Sequence, residues 1–221
     1  MRRVVMFALI GLLGVAGCGN ETESSSNTEI VRTLVAAGAA KVKGNGAGGA
    51  AAPLTRARLA EVVTPVMLAT VENTGNEALI AEIQVNGDVA TWSTVDDITI
   101  SMRKGVIVAT RGFGADLMAA SVPAVSRQSG GGAGHNRVHT LLNGEDQPVR
   151  TAYSCQFQNH GSQDIEIVQI KYRSTYITED CRSDKIRFKN EYWISDDQKM
   201  RKSRQWISPQ VGFFIIQDVR R

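Results

Sequence analysis

The chain has 221 residues, 25 basic and 22 acidic side chains, a formal charge of +3 and 43% hydrophobic residues. That length allows one sizeable domain or two small ones, and so nearly balanced a charge gives no electrostatic footprint for nucleic acid. The three cysteines lie far apart with no Cys-x-x-Cys spacing, so a structural zinc site is not indicated.

Met1-Arg2-Arg3 is a short positive start, and Val4 to Val15 is apolar and uncharged. The run closes on Val15-Ala16-Gly17-Cys18. A positive start, a short apolar core and small residues before a cleavage point describe a secretory signal peptide. A cysteine directly after the small residues makes it a bacterial lipobox, where the thiol is acylated and the chain is cut in front of it. The run is shorter than the roughly 20 residues a spanning helix needs. Residues 1–17 are therefore read as a lipoprotein signal peptide and Cys18 as the lipidation site. Cleavage removes Arg2 and Arg3 and no acid, leaving 23 basic against 22 acidic residues. Gly19 stands where an aspartate would favour inner-membrane retention in enteric bacteria, which points to the outer membrane.

Residues 18–27 are small and polar and read as a flexible tether. Thr28 to Val42 carries apolar residues at helical spacing and predicts a short N-terminal helix, running into a Gly/Ala-rich stretch that ends near Ala52. Arg56 to Val63 predicts one or two helical turns stopped by Pro65. From Val66 the pattern turns to strands: Val66 to Val71, Leu79 to Val85, Asp88 to Trp92, Ile98 to Met102 and Val106 to Arg111. Turn residues separate them, notably Asn73-Thr74-Gly75-Asn76, Asn86-Gly87 and Lys104-Gly105. Phe113 to Ser121 reads as a brief helix entered through glycines. Val125 to Pro148 reads as a loop or mobile insertion. Strands resume at Tyr153 to Phe157, Ile165 to Tyr176, Ile186 to Ile194, Met200 to Ile207 and Val211 to Val219. Apolar parity switches between Ile167 and Val168, which predicts a bulge. Roughly ten short strands predict a mainly β fold, an antiparallel β-sandwich or barrel-like domain with a short N-terminal helix, as one domain over 28–221.

With Cys18 lipidated, Cys155 and Cys181 remain as a pair. In an oxidising compartment they are disulfide candidates closing about 27 residues, roughly 3.5 kcal/mol in chain-entropy terms. The alternative is two free thiols. His135 and His139 have the i, i+4 spacing of a helical zinc pair. They follow a glycine run and lack the His-Glu-x-x-His glutamate, so they read as solvated loop histidines. His160 lies in a turn by composition. Gly112-Phe113-Gly114 lacks the rest of a phosphate loop and reads as permissive backbone. Asp96-Asp97 suits a turn, and Ser195 has no nucleophile motif around it. Lys199, Arg201, Lys202 and Arg204 cluster beside Trp193 and Trp206. Aromatic platforms with flanking donors suit sugars, and basic groups suit acidic polysaccharide. Trp193, Arg201, Arg204 and Trp206 are therefore the candidate glycan or partner surface. The bland alternative is a solvated strand edge over a core tryptophan. No cofactor is indicated.

At these residues the sequence resembles the YjbF/GfcB family of bacterial lipoproteins, linked to exopolysaccharide and group 4 capsule production. One block is Trp92-Ser93-Thr94-Val95-Asp96-Asp97-Ile98-Thr99-Ile100 with Gly105-Val106-Ile107-Val108-Ala109-Thr110-Arg111-Gly112-Phe113-Gly114-Ala115-Asp116-Leu117. The other is Tyr192-Trp193-Ile194-Ser195 with Arg201-Lys202-Ser203-Arg204-Gln205-Trp206-Ile207-Ser208-Pro209. The resemblance implies a lipid-anchored protein of the outer membrane facing the periplasm, with a β-rich fold and no enzymatic activity. It would assist export or assembly of capsule or exopolysaccharide by binding glycan or an export partner, such as an outer-membrane β-barrel protein. Nucleic acid is not among the expected partners. The family carries no catalytic or ligand residues over to this chain. Trp92, Arg111 and Asp116 are expected to tie a turn together through charge-assisted hydrogen bonds. A structural envelope lipoprotein without ligand, or a periplasmic glycan-modifying enzyme, are the other classes.

Overall fold

The computed structural model describes residues 54–132 and 134–219. Cys18, the signal peptide, the tether, the 28–42 helix and the Gly/Ala stretch lie outside the described residues. One short helix, α1 (Arg56–Ala60), precedes twelve strands. They are β1 (Val66–Val71), β2 (Asn76–Asn86), β3 (Val89–Ser93), β4 (Thr99–Arg103), β5 (Val106–Arg111) and β6 (Leu117–Ser121). β7 (His135–Leu142), β8 (Pro148–Ile167), β9 (Ile170–Arg182), β10 (Arg187–Ser195), β11 (Met200–Ser208) and β12 (Gly212–Asp218) follow. Thr55 caps α1, its hydroxyl accepting the Arg58 N–H.

Turn chemistry sets the hairpins. Arg103 pairs with Val106, leaving Lys104 and Gly105 at φ 49° and 85°, the doubly positive turn that matches strand twist. A Cβ on Gly105 would lie 2.8 Å from Met200 Sδ, so this tip also packs tightly against β11. The parity switch after Ile167 is a second such turn rather than a bulge. Ile167 pairs with Ile170, and Val168 and Gln169 stand at φ 41° and 66°. The bulge lies upstream, between Asn159 and Ser162, and His160 sits in it within β8.

All twelve strands form one antiparallel sheet, nearly closed into a barrel, and 63% of the described residues are strand. The expectation of a barrel-like domain stands; a two-sheet sandwich does not. Every strand pairs with its chain neighbour except β5 with β6, and β1 pairs with β12. The chain is thus an up-and-down meander closed through its first and last strands, with one seam. β6 and β7 occupy segments expected to be helix and loop. Short alanine-rich and histidine-bearing runs carry little strand propensity, and the edge they complete decides their state.

Side chains close the seam. The Arg111 guanidinium donates to the Leu117 and Met118 carbonyls at 3.2 and 3.3 Å. The Asp116 carboxylate accepts from Thr110 Oγ1 and the Gly112 and Phe113 N–H groups. Gln205 reaches from β11 to β5, accepting the Ile107 N–H and donating to the Gly105 carbonyl. Val122 and Val125, from the segment after β6, pack against Val106, Ile177 and Tyr192. Arg127 pins that segment to Thr175 and Asp196, so it is a built wall rather than an insertion.

Connections alternate between two ends. Near one end α1 and the β8–β9 hairpin pack on the outer face of β1 and β2, with Leu59, Val62, Val66, Ile167, Tyr172 and Val219 buried together. The Arg56 guanidinium donates to the carbonyls of Ile167, Val168 and Val219 at 2.5–2.6 Å. Arg56→Ala removes three charge-assisted bonds and leaves their acceptors under-satisfied. We expect a stability loss of about 2 kcal/mol, read as a lower urea midpoint. Arg56→Lys should recover only part of it, since one ammonium does not match a planar fork.

Candidate functional site

The four residues expected to share a surface do not form one exposed patch. Trp193 is 9% exposed, stacks on Tyr176 at 5.0 Å and donates Nε1–H to Gln163 Oε1. Arg201 is buried, held by Asp197, Asp218 and the Ser195 hydroxyl, and its guanidinium lies 4.6 Å from the Tyr172 ring. Arg204 grips Glu72 with two bonds of 2.6 Å and covers the Phe213 ring. The hydrogen bond from Arg204 holds the Glu72 carboxyl below its usual range. Trp206 is buried against Phe188, ring centroids 4.6 Å apart, where β10 and β11 part and Asn190 Oδ1 takes its N–H. Both arginines of the basic cluster are therefore paired with acids, Lys202 lies over the Trp193 ring, and the two tryptophans are buried. Arg111 and Asp116 do tie the β5–β6 corner, each through backbone groups.

The histidines lie inside the barrel, not in a solvated loop. Four residues apart on a strand, His135 and His139 share the inward face with Arg137. His135 and Arg137 meet Glu179 on β9, which is fully buried, and His139 Nε2 lies 3.4 Å from Arg137 Nη1. The Glu179 carboxylate accepts from His135 Nε2 at 2.8 Å, Asn190 Nδ2 at 2.8 Å and Tyr192 Oη at 2.7 Å. Arg137 pairs with it at 3.0 Å. Burial acts to raise the carboxyl, but the His135 bond, the Arg137 charge and the Asn190 and Tyr192 bonds bring it down to about 2. Burial and then the Arg137 charge push His139 down to about 3, so it is neutral. Burial raises the Tyr192 phenol well above its usual range.

Cys155 and Cys181 face one another across β8 and β9, with sulfurs 2.01 Å apart. His135, Cys155 and Glu179 place ligand atoms within 4.8 Å of one another. The sulfur is already bonded to Cys181 and the carboxylate already accepts from four side chains. This grouping clamps β7, β9 and β10 and has little left to offer a cation.

The other end of the barrel is open. A cavity of about 560 Å³ enters it between the β1–β2 turn, the β3–β4 loop, the β5–β6 corner and the β11–β12 turn. Its wall is apolar: Ala69, Val71, Ala78, Ile98, Phe113 and Phe214. Ala69 and Ala78 stand directly opposite on β1 and β2, so no side chain fills the space between them and the Phe113–Phe214 pair. Phe113 is aimed there by the corner that Asp116 organises. Ser208 ties the same corner to β11 through the Ala115 carbonyl at 2.9 Å. Exposed Thr74, Asn76, Glu77 and Gln210 line the rim. Sequence reasoning missed this mouth. Its only trace is a small residue at an inward position on each of two neighbouring strands, which has no meaning until the strands are paired.

The family model for YjbF, described as group 4 capsule polysaccharide lipoprotein GfcB, matches residues 31–219. The crystal structure of the lipoprotein YmcC from Escherichia coli K12 is similar in fold, with a TM-score of 0.64 at 14% identity over 72% of this chain and 85% of that one. An exported protein with a YmcC-like fold from Bacteroides fragilis aligns over 71% of this chain and 95% of that one, at 8% identity and a TM-score of 0.37. No curated protein sequence matches.

Glu179→Gln leaves the Arg137 charge buried without its counter-ion, and we expect a loss of about 3–5 kcal/mol in urea unfolding at pH 7. Acid should act in the same direction. Glu179 has a depressed carboxyl, so its contribution is present above about 4.5 and lost as pH falls toward about 2. His139 stays neutral when folded down to about 3 but takes a proton near 6.5 when unfolded. Its burial therefore weakens the fold as pH falls through that window. The thermal midpoint should drop steadily from pH 7 to pH 4. In His139→Phe, which keeps a ring among Tyr153, Phe188 and Trp206, the upper part of that drop should flatten.

Proposed function

This chain belongs to the YjbF family of group 4 capsule polysaccharide lipoproteins, and from that membership we propose that it assists export or assembly of capsule or exopolysaccharide by binding. In this reading Cys18 carries the lipid that holds the barrel at the periplasmic face of the outer membrane. The ligand is glycan or an export partner of the outer-membrane β-barrel kind. The observation that carries the reading is the open mouth, a preformed apolar cavity with a few polar groups at its edge. It supports binding over catalysis. Glycoside hydrolysis uses two carboxyl groups about 5–9 Å apart, and among the described lining residues Glu77 is the one acid. Glu179 is sealed inside and fully engaged.

A structural envelope lipoprotein is the second reading. The burial of Trp92, Trp193 and Trp206 favours it, because no exposed tryptophan is left as a platform for a sugar. The open mouth argues against it. Deleting the gene and measuring secreted polysaccharide separates the two. We expect output to fall several-fold, with restoration by the parent and not by Cys18→Ala. Unchanged output in the deletion strain would remove the export role.

A further inference from the structure

The mouth has a composition that selects among ligands. Its depth is hydrocarbon: Ala69 and Ala78 side by side on β1 and β2, Phe214 beside them on β12, and Phe113 from the β5–β6 corner. A bare sugar would bury its hydroxyls there without partners, which is costly. An alkyl chain loses nothing by entering. About 560 Å³ lies within the range of sites that enclose a drug-sized molecule. The rim has the opposite character. Asn76 and Gln210 present side-chain amides and Thr74 a hydroxyl, groups that both donate and accept. Such groups match a polyhydroxylated head. Among the described lining residues Glu77 is the one charge, and it repels an anionic head.

The cavity is also built rather than incidental. The corner that places Phe113 is fixed by Asp116 to three groups and by Ser208 to β11. Asn73 fixes the facing turn: a Cβ on Gly212 would fall 2.3 Å from its Nδ2, so only glycine lets the two turns approach this closely. Two immobilised turns therefore frame an apolar space lined by small residues.

We infer that the mouth binds the lipid end of a lipid-linked saccharide, with the alkyl chain among Ala69, Ala78, Phe113 and Phe214 and the first sugar at Asn76, Thr74 and Gln210. The inference rests on the export reading and names the ligand of that site. A carrier lipid held by its chain would leave the rest of the glycan outside the barrel, free to meet an export partner.

Alkyl maltosides below their micelle concentration are the probe, with binding to the folded 54–219 region of the full chain followed by calorimetry. Affinity should rise roughly fourfold per added methylene from octyl to dodecyl, until the cavity is full. Maltose alone should not bind measurably. Dodecylphosphocholine and dodecyl sulfate should bind at least tenfold more weakly than dodecyl maltoside. Ala78→Leu and, on the facing strand, Ala69→Ile each fill the space and should weaken dodecyl maltoside at least tenfold while the thermal midpoint holds. Asn76→Ala should narrow the gap between the maltoside and phosphocholine heads. Parent-like binding by both filled variants overturns the site. Equal affinity for all three heads overturns the saccharide. Loss of polysaccharide in the deletion strain without any alkyl maltoside binding overturns this ligand and leaves the export role standing.

Discussion

A sheet of twelve strands has two edges, and each exposed edge is a row of unpaired donors and acceptors. The rest of this structure follows from how those edges are met. Pairing β1 with β12 joins the chain's two terminal strands and moves the opening to the middle of the sequence, between β5 and β6. There the backbone turns a corner instead of a hairpin. Arg111, Asp116 and Gln205 then do with side chains what a ladder would have done with backbone. Arg111 and Asp116 suit the task because a bond to a charged group is stronger than a neutral one. The Thr-Arg-Gly-Phe-Gly-Ala-Asp-Leu stretch is therefore a closing device, and the placement of Phe113 at the mouth is its by-product.

Near-closure creates an interior that must be filled or left open. The two halves do this differently. The β7–β11 wall fills it with rings and a buried ion network around Glu179, where His135, Arg137, Asn190 and Tyr192 satisfy one carboxylate. That arrangement exchanges apolar burial for a set of directional bonds that holds three strands in one register. The wall built from β1–β5 and β12 is hydrocarbon, with Ile80, Trp92, Ile100, Ile107 and Phe214 buried together. Its alanines stop short of filling the end. On the other side of that wall, α1 and the β8–β9 hairpin cover the outer face of β1 and β2.

Strands and hairpins were largely legible because their signals are local. Lys104-Gly105 marks its turn by what its backbone can adopt, and Val66 to Val71 marks its strand by composition. Phe113 to Ser121 was misread because alanine runs look helical when no partner strand is in view. Val168-Gln169 was misread because a doubly positive turn without glycine or asparagine carries no turn signature. The candidate surface residues are scattered for a different reason. Arg201 and Arg204 look like free cations in sequence, and their acids stand at Asp197, Asp218 and Glu72, the last 132 positions away.

The sequence by itself determined the mainly β class and the family, because both rest on short runs of neighbouring residues, as does the expectation of a lipobox at Cys18. The tertiary structure alone decided that β1 meets β12, that His135 and His139 turn inward, His135 onto Glu179, and that Ala69 and Ala78 sit side by side in the wall of an open mouth. Those are contacts between residues far apart in the chain. They are chosen by which arrangement leaves the fewest buried polar groups unpaired and the least apolar surface in water, a sum over the whole fold that no short stretch of sequence contains.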